Sequence, residues 1–235
     1  QSSGFYVDVD LKNIETFSYD LKKKELRSLM YQAIHMDRFL STSGSREDWL
    51  AAAVSIQVNI SEEEIDQAVL KMPLEIQETS GKTIAKKLKS RIKHLDKYAL
   101  WYYEMLSEYI DVVGSNSKEY FEITRMDNGN VNLKIFNAKK KEKGKNLYYD
   151  RTFLPQETKE LRIYGLGGDD IFDIKGNGKS KILIRVLGNS GDDTFNDNNT
   201  IAKTKTLLYD KGKGTTFNTS KGSKIVNHWD KKIYD

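Results

Sequence analysis

Three stretches decide the fold. Ile163–Phe172 reads IYGLGGDDIF, Val186–Phe195 reads VLGNSGDDTF and Leu208–Phe217 reads LYDKGKGTTF. They begin 23 and then 22 residues apart. Each is the end of an apolar strand, a Gly/Asp turn and then a phenylalanine. Self-similarity at a period of about 20–29 residues, with one strand–turn–strand unit per copy, predicts stacked coils. Successive strand residues face opposite sides. Leu161 and Ile163 therefore share a face in the first copy, as do Ile182, Ile184 and Val186 in the second. Thr204, Thr206 and Leu208 hold the equivalent places in the third. Phe172, Phe195 and Phe217 fall at one register position and are expected to stack as a ladder. The predicted architecture of residues 158–235 is a short right-handed parallel β-solenoid. The alternative is an antiparallel meander with glycine turns.

The turns carry more than a tight bend requires. Glycine serves where φ is positive, but Gly-x-x-Gly-Asp-Asp adds paired carboxylates. Gly165–Phe172 and Gly188–Phe195 fit most of the pattern G-G-x-G-x-D-x-U-x and so resemble the calcium β-rolls of the repeats-in-toxin family. That resemblance implies Ca²⁺ as the cofactor, with Asp170 and Asp193 as ligands and Asp169, Asp192 and Asp173 as secondary candidates. The departures are specific. The intervening turns Lys175–Lys179 and Asn196–Asn199 lack the motif, and the third copy has Gly214 and Thr215 beside Lys211 and Lys213 where the others have their acidic pair. One interloop site is expected at most. The competing role for these aspartates is to close turns by side-chain-to-backbone bonds.

Composition narrows the class. A chain of 235 residues, 38% hydrophobic and 11% aromatic, can bury a real core and is not of disordered type. Thirty-eight basic against 34 acidic residues give a mixed surface, so no nucleic-acid partner is expected. No apolar run approaches 18 residues, so no transmembrane segment is expected. The absence of cysteine excludes disulfides, thiolate metal sites and a cysteine nucleophile. The chain opens on Gln1 with no signal-like segment after it, so upstream sequence is expected.

Two periods divide the chain. From about Tyr19 to Val113 the apolar spacing is helical. A helix start is expected at Ser45–Asp48, and Ser61 with Glu64 forms a capping box. Pro73 is expected to stop that helix, and a long helix should run from about Gly81 to Tyr109. After Gly114-Ser115-Asn116-Ser117 the period becomes two. Tyr120–Thr124 and Val131–Phe136 read as strands joined through Asn128-Gly129, a hairpin signal. The predicted class is therefore α+β: a helical domain over 1–114, a β-hairpin with connecting strands over 115–157, and the solenoid over 158–235.

Catalytic signals are weak. Gly81-Lys82-Thr83 lacks the upstream glycine of a phosphate loop, since Ile76 stands there. His35, His94 and His228 have no metal-ligand spacing. An Asp169–Asp192 dyad would need a cleft to act on a glycoside. Lys86–Lys97 with Tyr98, Trp101, Tyr102 and Tyr103 raises a stacking platform, but burial of the aromatics against neighbouring helices is the better account.

The stretch from Trp49 to Asp197 resembles a segment of large Gram-negative envelope proteins. The resemblance is carried by REDWL from Arg46, IDQAV from Ile65, PLEI from Pro73, SGKTIAKKLK from Ser80, VVGS from Val112 and, most specifically, TKELRIYGLGGDD from Thr158 followed by GNSGDDTF. In such proteins the segment lies between a phosphoesterase-like or kinase-like region and a C-terminal β-barrel resembling outer-membrane surface antigens. The resemblance implies an exported, periplasmic or surface-associated location in the cell envelope, with other domains of a larger protein as partners. It carries over no activity, because the upstream catalytic motifs are absent. The expected function is thus a non-catalytic structural or interaction module. The alternatives are the C-terminal fragment of a kinase-like or phosphoesterase envelope enzyme, or a polyanion- or glycan-binding module using Lys139, Lys140, Lys141, Lys143 and Lys145.

Overall fold

A computed structural model gives the structure of residues 17–139, 142–200, 205–210, 212–219 and 221–226. Thr204, Lys140, Lys141, Lys211 and His228, which figure in the sequence reading, lie outside the described residues. The chain is of α+β type, with helices followed by strands. It forms two compact units, one of Gln1–His35 with Gly44–Met105 and one of Met36–Ser43 with Leu106–Asp235.

The helices are α1 (Lys23–Met30), α2 (Ile34–Leu40), α3 (Arg46–Asn59), α4 (Glu62–Val69), α5 (Leu74–Ile76), α6 (Lys82–Lys93) and α7 (Leu95–Ser107), with a π-helical turn at Gln77–Gly81. Reciprocal side-chain-to-backbone bonds start two of them. Ser45 Oγ accepts from Asp48 N–H at 3.2 Å while Asp48 Oδ2 accepts from Ser45 N–H at 2.8 Å. Ser61 and Glu64 repeat this at α4. The long helix expected from Gly81 differs in two ways. It begins earlier, because Pro73, which needs no N–H partner, opens α5 rather than only ending α4. It also breaks at His94, the C-cap of α6. The interior of this unit includes Ile65, Val69 and Ala85, backed by Met72, Ile84, Leu88 and Ile92. Trp49 meets Tyr102 edge-on at 5.7 Å, and Tyr98 and Tyr103 are buried. No helix among the described residues is long and apolar enough to cross a membrane.

The second unit contains β1 (Tyr109–Val113), β2 (Glu119–Arg125), β3 (Val131–Lys139), β4 (Glu142–Phe153), β5 (Glu160–Gly167), β6 (Ile171–Lys175), β7 (Leu183–Ser190), β8 (Thr194–Asp197), β9 (Thr206–Tyr209), β10 (Thr216–Thr219) and β11 (Ser223–Ile225). Two sheets result, in the orders β1-β5-β7-β9-β11 and β10-β8-β6-β2-β3-β4. The first is parallel throughout. The second is parallel from β2 to β10 and antiparallel through the β2-β3-β4 hairpins. Each repeat gives one strand to each sheet and pairs in register with the next. Tyr109–Val113, which the helical reading includes, is strand β1; its alternating Ile110 and Val112 enter the core between the sheets. Asn128-Gly129 forms the expected hairpin turn, with Gly129 at φ +86°.

The Phe ladder is present and longer than the sequence reading has it. Phe172, Phe195 and Phe217 stack at 4.8 and 4.9 Å between ring centroids. Phe121, read as a hairpin residue, stacks on Phe172 at 4.6 Å and is its first rung. All three interplanar angles are 21° or less. In-register parallel pairing of β2, β6, β8 and β10 imposes this spacing, because Phe121, Phe172, Phe195 and Phe217 are aligned partners. Phe195→Ala is expected to cost about 3–5 kcal/mol, as for other fully buried phenylalanines. Phe121→Ala should cost as much, and Phe217→Ala less, since Phe217 is only half-buried. Urea unfolding of the three variants checks this; a Phe195→Ala change within about 0.5 kcal/mol, a surface-like effect, would contradict it.

Candidate functional site

The acidic turns do not bring the five candidate aspartates to one point. They form three separate environments.

Asp170 and Asp193 lie inside, both fully buried. Each accepts, through Oδ1, the amide of the acidic residue one repeat earlier. Glu119 N–H donates to Asp170 at 2.9 Å, and Asp170 N–H donates to Asp193 at 2.8 Å. The side chain thus bonds backbone, as turn aspartates do, but across repeats and not within its own turn. Asp170 Oδ2 and Asp193 Oδ2 are buried without a hydrogen-bond partner.

The glycine that opens each turn makes room for this carboxylate. A Cβ on Gly165 would collide with Asp170 Oδ2 and lie 2.8 Å from the Gly188 carbonyl oxygen. A Cβ on Gly188 would collide with Asp193 Oδ2 and lie 2.8 Å from Asp210 Oδ2. The same relation joins Gly114 and Glu119, whose Oε2 fills the space beside Gly114 and accepts from Ser115 N–H at 2.8 Å. Gly114–Phe121 is therefore a further copy of the repeat, separated from the next by the β3–β4 insertion. Sequence reading takes it for a domain boundary. The signal that finds it is Gly-x₄-Asp/Glu-x-Phe: Gly114/Glu119/Phe121, Gly165/Asp170/Phe172 and Gly188/Asp193/Phe195. The Leu208 copy exchanges the two positions. Asp210 stands where the others have glycine, Thr215 where they have the acid, and Thr215 Oγ1 donates to Asp210 Oδ2 at 2.6 Å. A column of four carboxylates, Glu119, Asp170, Asp193 and Asp210, runs beside the Phe ladder.

Asp169 and Asp192 occupy the outer turn. Asp169 Oδ1 accepts from Asp192 N–H at 3.1 Å, and Lys118 Nζ pairs with its other oxygen. Leu166 and Asn189 sit at φ +75° and +74° in these turns. Asp173 lies apart on β6, where Tyr120 donates to it at 2.5 Å and Lys175 pairs with it at 2.9 Å. Among the described residues, no group of three or more His, Cys, Asp or Glu side chains is placed to hold a metal ion. Asp169 and Asp192 stand on neighbouring turns, joined by the Asp192 N–H donating to the Asp169 carboxylate. His94 lies 3.9 Å from Asp20 and edge-on to Tyr98, a packing role. Of the basic hairpin, Lys143 pairs with Glu122 at 3.1 Å and covers the Phe136 ring, while Lys139 and Lys145 are exposed.

No protein-family model, curated protein or solved structure matches this chain.

Burial raises the Asp170 carboxyl to about 8, against the lowering effect of the Glu119 amide and with Asp193, Glu119 and Asp169 adding repulsion. Burial likewise raises Asp193 to about 7, with Asp210 and Asp169 nearby and the Asp170 amide opposing. Both ionise near pH 4 in an unfolded chain. Between those limits the folded protein holds more protons than the unfolded one, so stability falls as pH rises. The contribution is fully present below about pH 4 and lost through about pH 7–8. Denaturation of the wild type at a series of pH values should show this slope, and Asp193→Asn should flatten it, since the amide keeps the Oδ1 acceptor and adds a donor without charge. A slope in Asp193→Asn equal to that of the wild type would contradict the assignment.

Proposed function

We propose that this chain is a non-catalytic structural module. In this reading β5 to β10, together with β1 and β2, are coils of a short right-handed β-solenoid, the hand that parallel crossovers adopt. The observation that carries it is the four-ring stack aligned with parallel pairing in both sheets. Such an interior is filled by its own side chains. The resemblance of Trp49–Asp197 to envelope proteins supports an exported, envelope-associated location, with other domains of a longer protein as neighbours. The purified chain should not turn over p-nitrophenyl phosphate or ATP. Turnover that one point substitution abolishes would overturn the proposal in favour of an enzyme fragment.

Calcium is the second reading, and the two buried, unpaired oxygens of Asp170 and Asp193 favour it. Against it, each Oδ1 already faces an N–H donor, whereas Ca²⁺ takes 6–8 oxygens. Two motif carboxylates would give weak affinity, on the order of 10⁻⁴–10⁻³ M. Calcium at several times that level would then add about 1 kcal/mol of stability by mass action, with magnesium doing less. Identical thermal melts in chelator and in millimolar calcium would remove this reading and leave the aspartates as protonated supports of the coils.

A further inference from the structure

The stack of coils is open at one end. Among the described residues, β10 and β11 are the last strands of their sheets. Burial falls away there. Phe172 and Phe195 are fully enclosed, Phe217 is half-buried, and Ile225, aligned with the fully buried Leu208, is 39% exposed. The backbone of β10 is also half used. Thr216 N–H donates to the Asp193 carbonyl at 2.8 Å. Bonding directions alternate along a strand, so Phe217 and Thr219 turn their N–H groups to the open edge, where an added strand would accept them.

Register identifies what fits this end. β11 sets Ser223, Lys224 and Ile225 against Thr206, Leu207 and Leu208, so it starts a further copy of the repeat. Val226 N–H still donates to the Leu208 carbonyl at 2.9 Å. Continued by two residues, the same register sets Asn227 against Asp210. Each ring of the ladder follows that position by seven residues, as Phe172 follows Gly165, Phe195 follows Gly188 and Phe217 follows Asp210. Seven residues after Asn227 stands Tyr234. Five residues after it, where Asp170 and Asp193 stand in their copies, is Lys232. Residues 227–235 lie outside the described residues, but their spacing offers a fifth aromatic rung. Charge agrees with register, because Lys232 brings a cation to the end of a column of four carboxylates whose last member is Asp210. Residues 228–231 include no glycine. Neither do Ser115–Lys118, which make the turn of the first copy without a positive φ.

We propose that the open end of the stack docks residues 227–235 of this same chain, with Tyr234 on the Phe217 ring, Lys232 beside Asp210, and residues 233–235 added to β10 as a parallel strand. Terminal repeats of stacked architectures depart from the pattern and close the apolar column to water. A lysine in place of the acid and a tyrosine in place of the phenylalanine suit such a cap. A last strand supplied by the chain itself also removes an edge that would otherwise pair with another molecule. The docking depends on register, spacing and charge, so it stands whether or not the chain is catalytic.

Amide hydrogen exchange of the ¹⁵N-labelled full chain reads this edge directly. The N–H groups of Phe217 and Thr219 should be protected, and nuclear Overhauser effects should join the Tyr234 and Phe217 rings. Tyr234→Ser should speed exchange at Phe217 and Thr219 by about tenfold or more. Phe195, inside the stack, should keep its protection in that variant and so show that it is folded. Tyr234→Phe should retain the protection of the edge, and Lys232→Glu should weaken it, most at low salt. Unprotected Phe217 and Thr219 amides in the wild type, unchanged exchange in Tyr234→Ser, or rings without a mutual Overhauser effect would overturn the proposal. So would protection that grows with protein concentration, which would make a second copy of the chain the occupant of the edge.

Discussion

A carboxylate bonded across repeats, in space that a glycine vacates, is the interaction on which the strand-rich unit depends. Asp170 and Asp193 each use one oxygen to hold the amide of the preceding acidic residue. A buried carboxyl without a partner costs several kcal/mol, and a buried charge far more. The position therefore tolerates an acid only because the neighbouring repeat donates an N–H and because burial favours the neutral form. The glycine five residues earlier is part of the same device, for any side chain there would expel the carboxyl group. Register, turn and core are fixed together. A slip of one residue would remove the amide bond, bury the wrong face of each strand and unstack the phenylalanines.

The two ends of the column modify the device. At the first, Glu119 reaches back to Ser115, whose N–H and hydroxyl both engage its carboxylate. At the other, Asp210 supplies the acid from the glycine position, and Thr215 closes on it. Farther along the strands a second buried polar set ties repeats together: Arg125 meets Asp197 at 3.8 Å and donates to Thr206. Breaking one partner of such a pair is costly because the other charge stays buried. The hairpin side is closed differently. Tyr149 and Arg151 on β4 both donate to the Thr42 carbonyl, tying Met36–Ser43 to this unit.

The helical unit is built on another principle. Its interior is small, and short helices are held by capping boxes, by Tyr98 accepting the Leu21 amide and by cations over aromatic rings, as Arg91 lies over Phe17 at 4.3 Å. Large apolar side chains stay exposed on α3 and α5 and at Leu70, just past α4. The two sheets of the strand-rich unit enclose a core filled by their own side chains.

Local patterning sufficed for much of this. Periods of 3.6 and 2 separated helices from strands, Ser45 and Ser61 marked helix starts, Asn128-Gly129 marked a hairpin, and the common place of Phe172, Phe195 and Phe217 required their stacking once the strands paired in parallel. These features depend on neighbours in the chain or on a fixed repeat. Three things did not. Phe121 and Glu119 belong to the same columns, but the β3–β4 insertion places them 51 residues before their partners, beyond the reach of a 23-residue period. Pro73 opens a helix as well as ending one, because proline needs no N–H partner at a helix start, and Tyr109–Val113 forms a strand because pairing with β5 outweighs local spacing. The aspartates look alike in sequence, yet Asp170 and Asp193 are enclosed while Asp169 and Asp192 meet water, since adjacent residues of a chain entering a strand point to opposite sides. Which of two neighbouring carboxyls is buried, and so which one burial shifts upward in pKa, is decided only by the tertiary pairing of the strands.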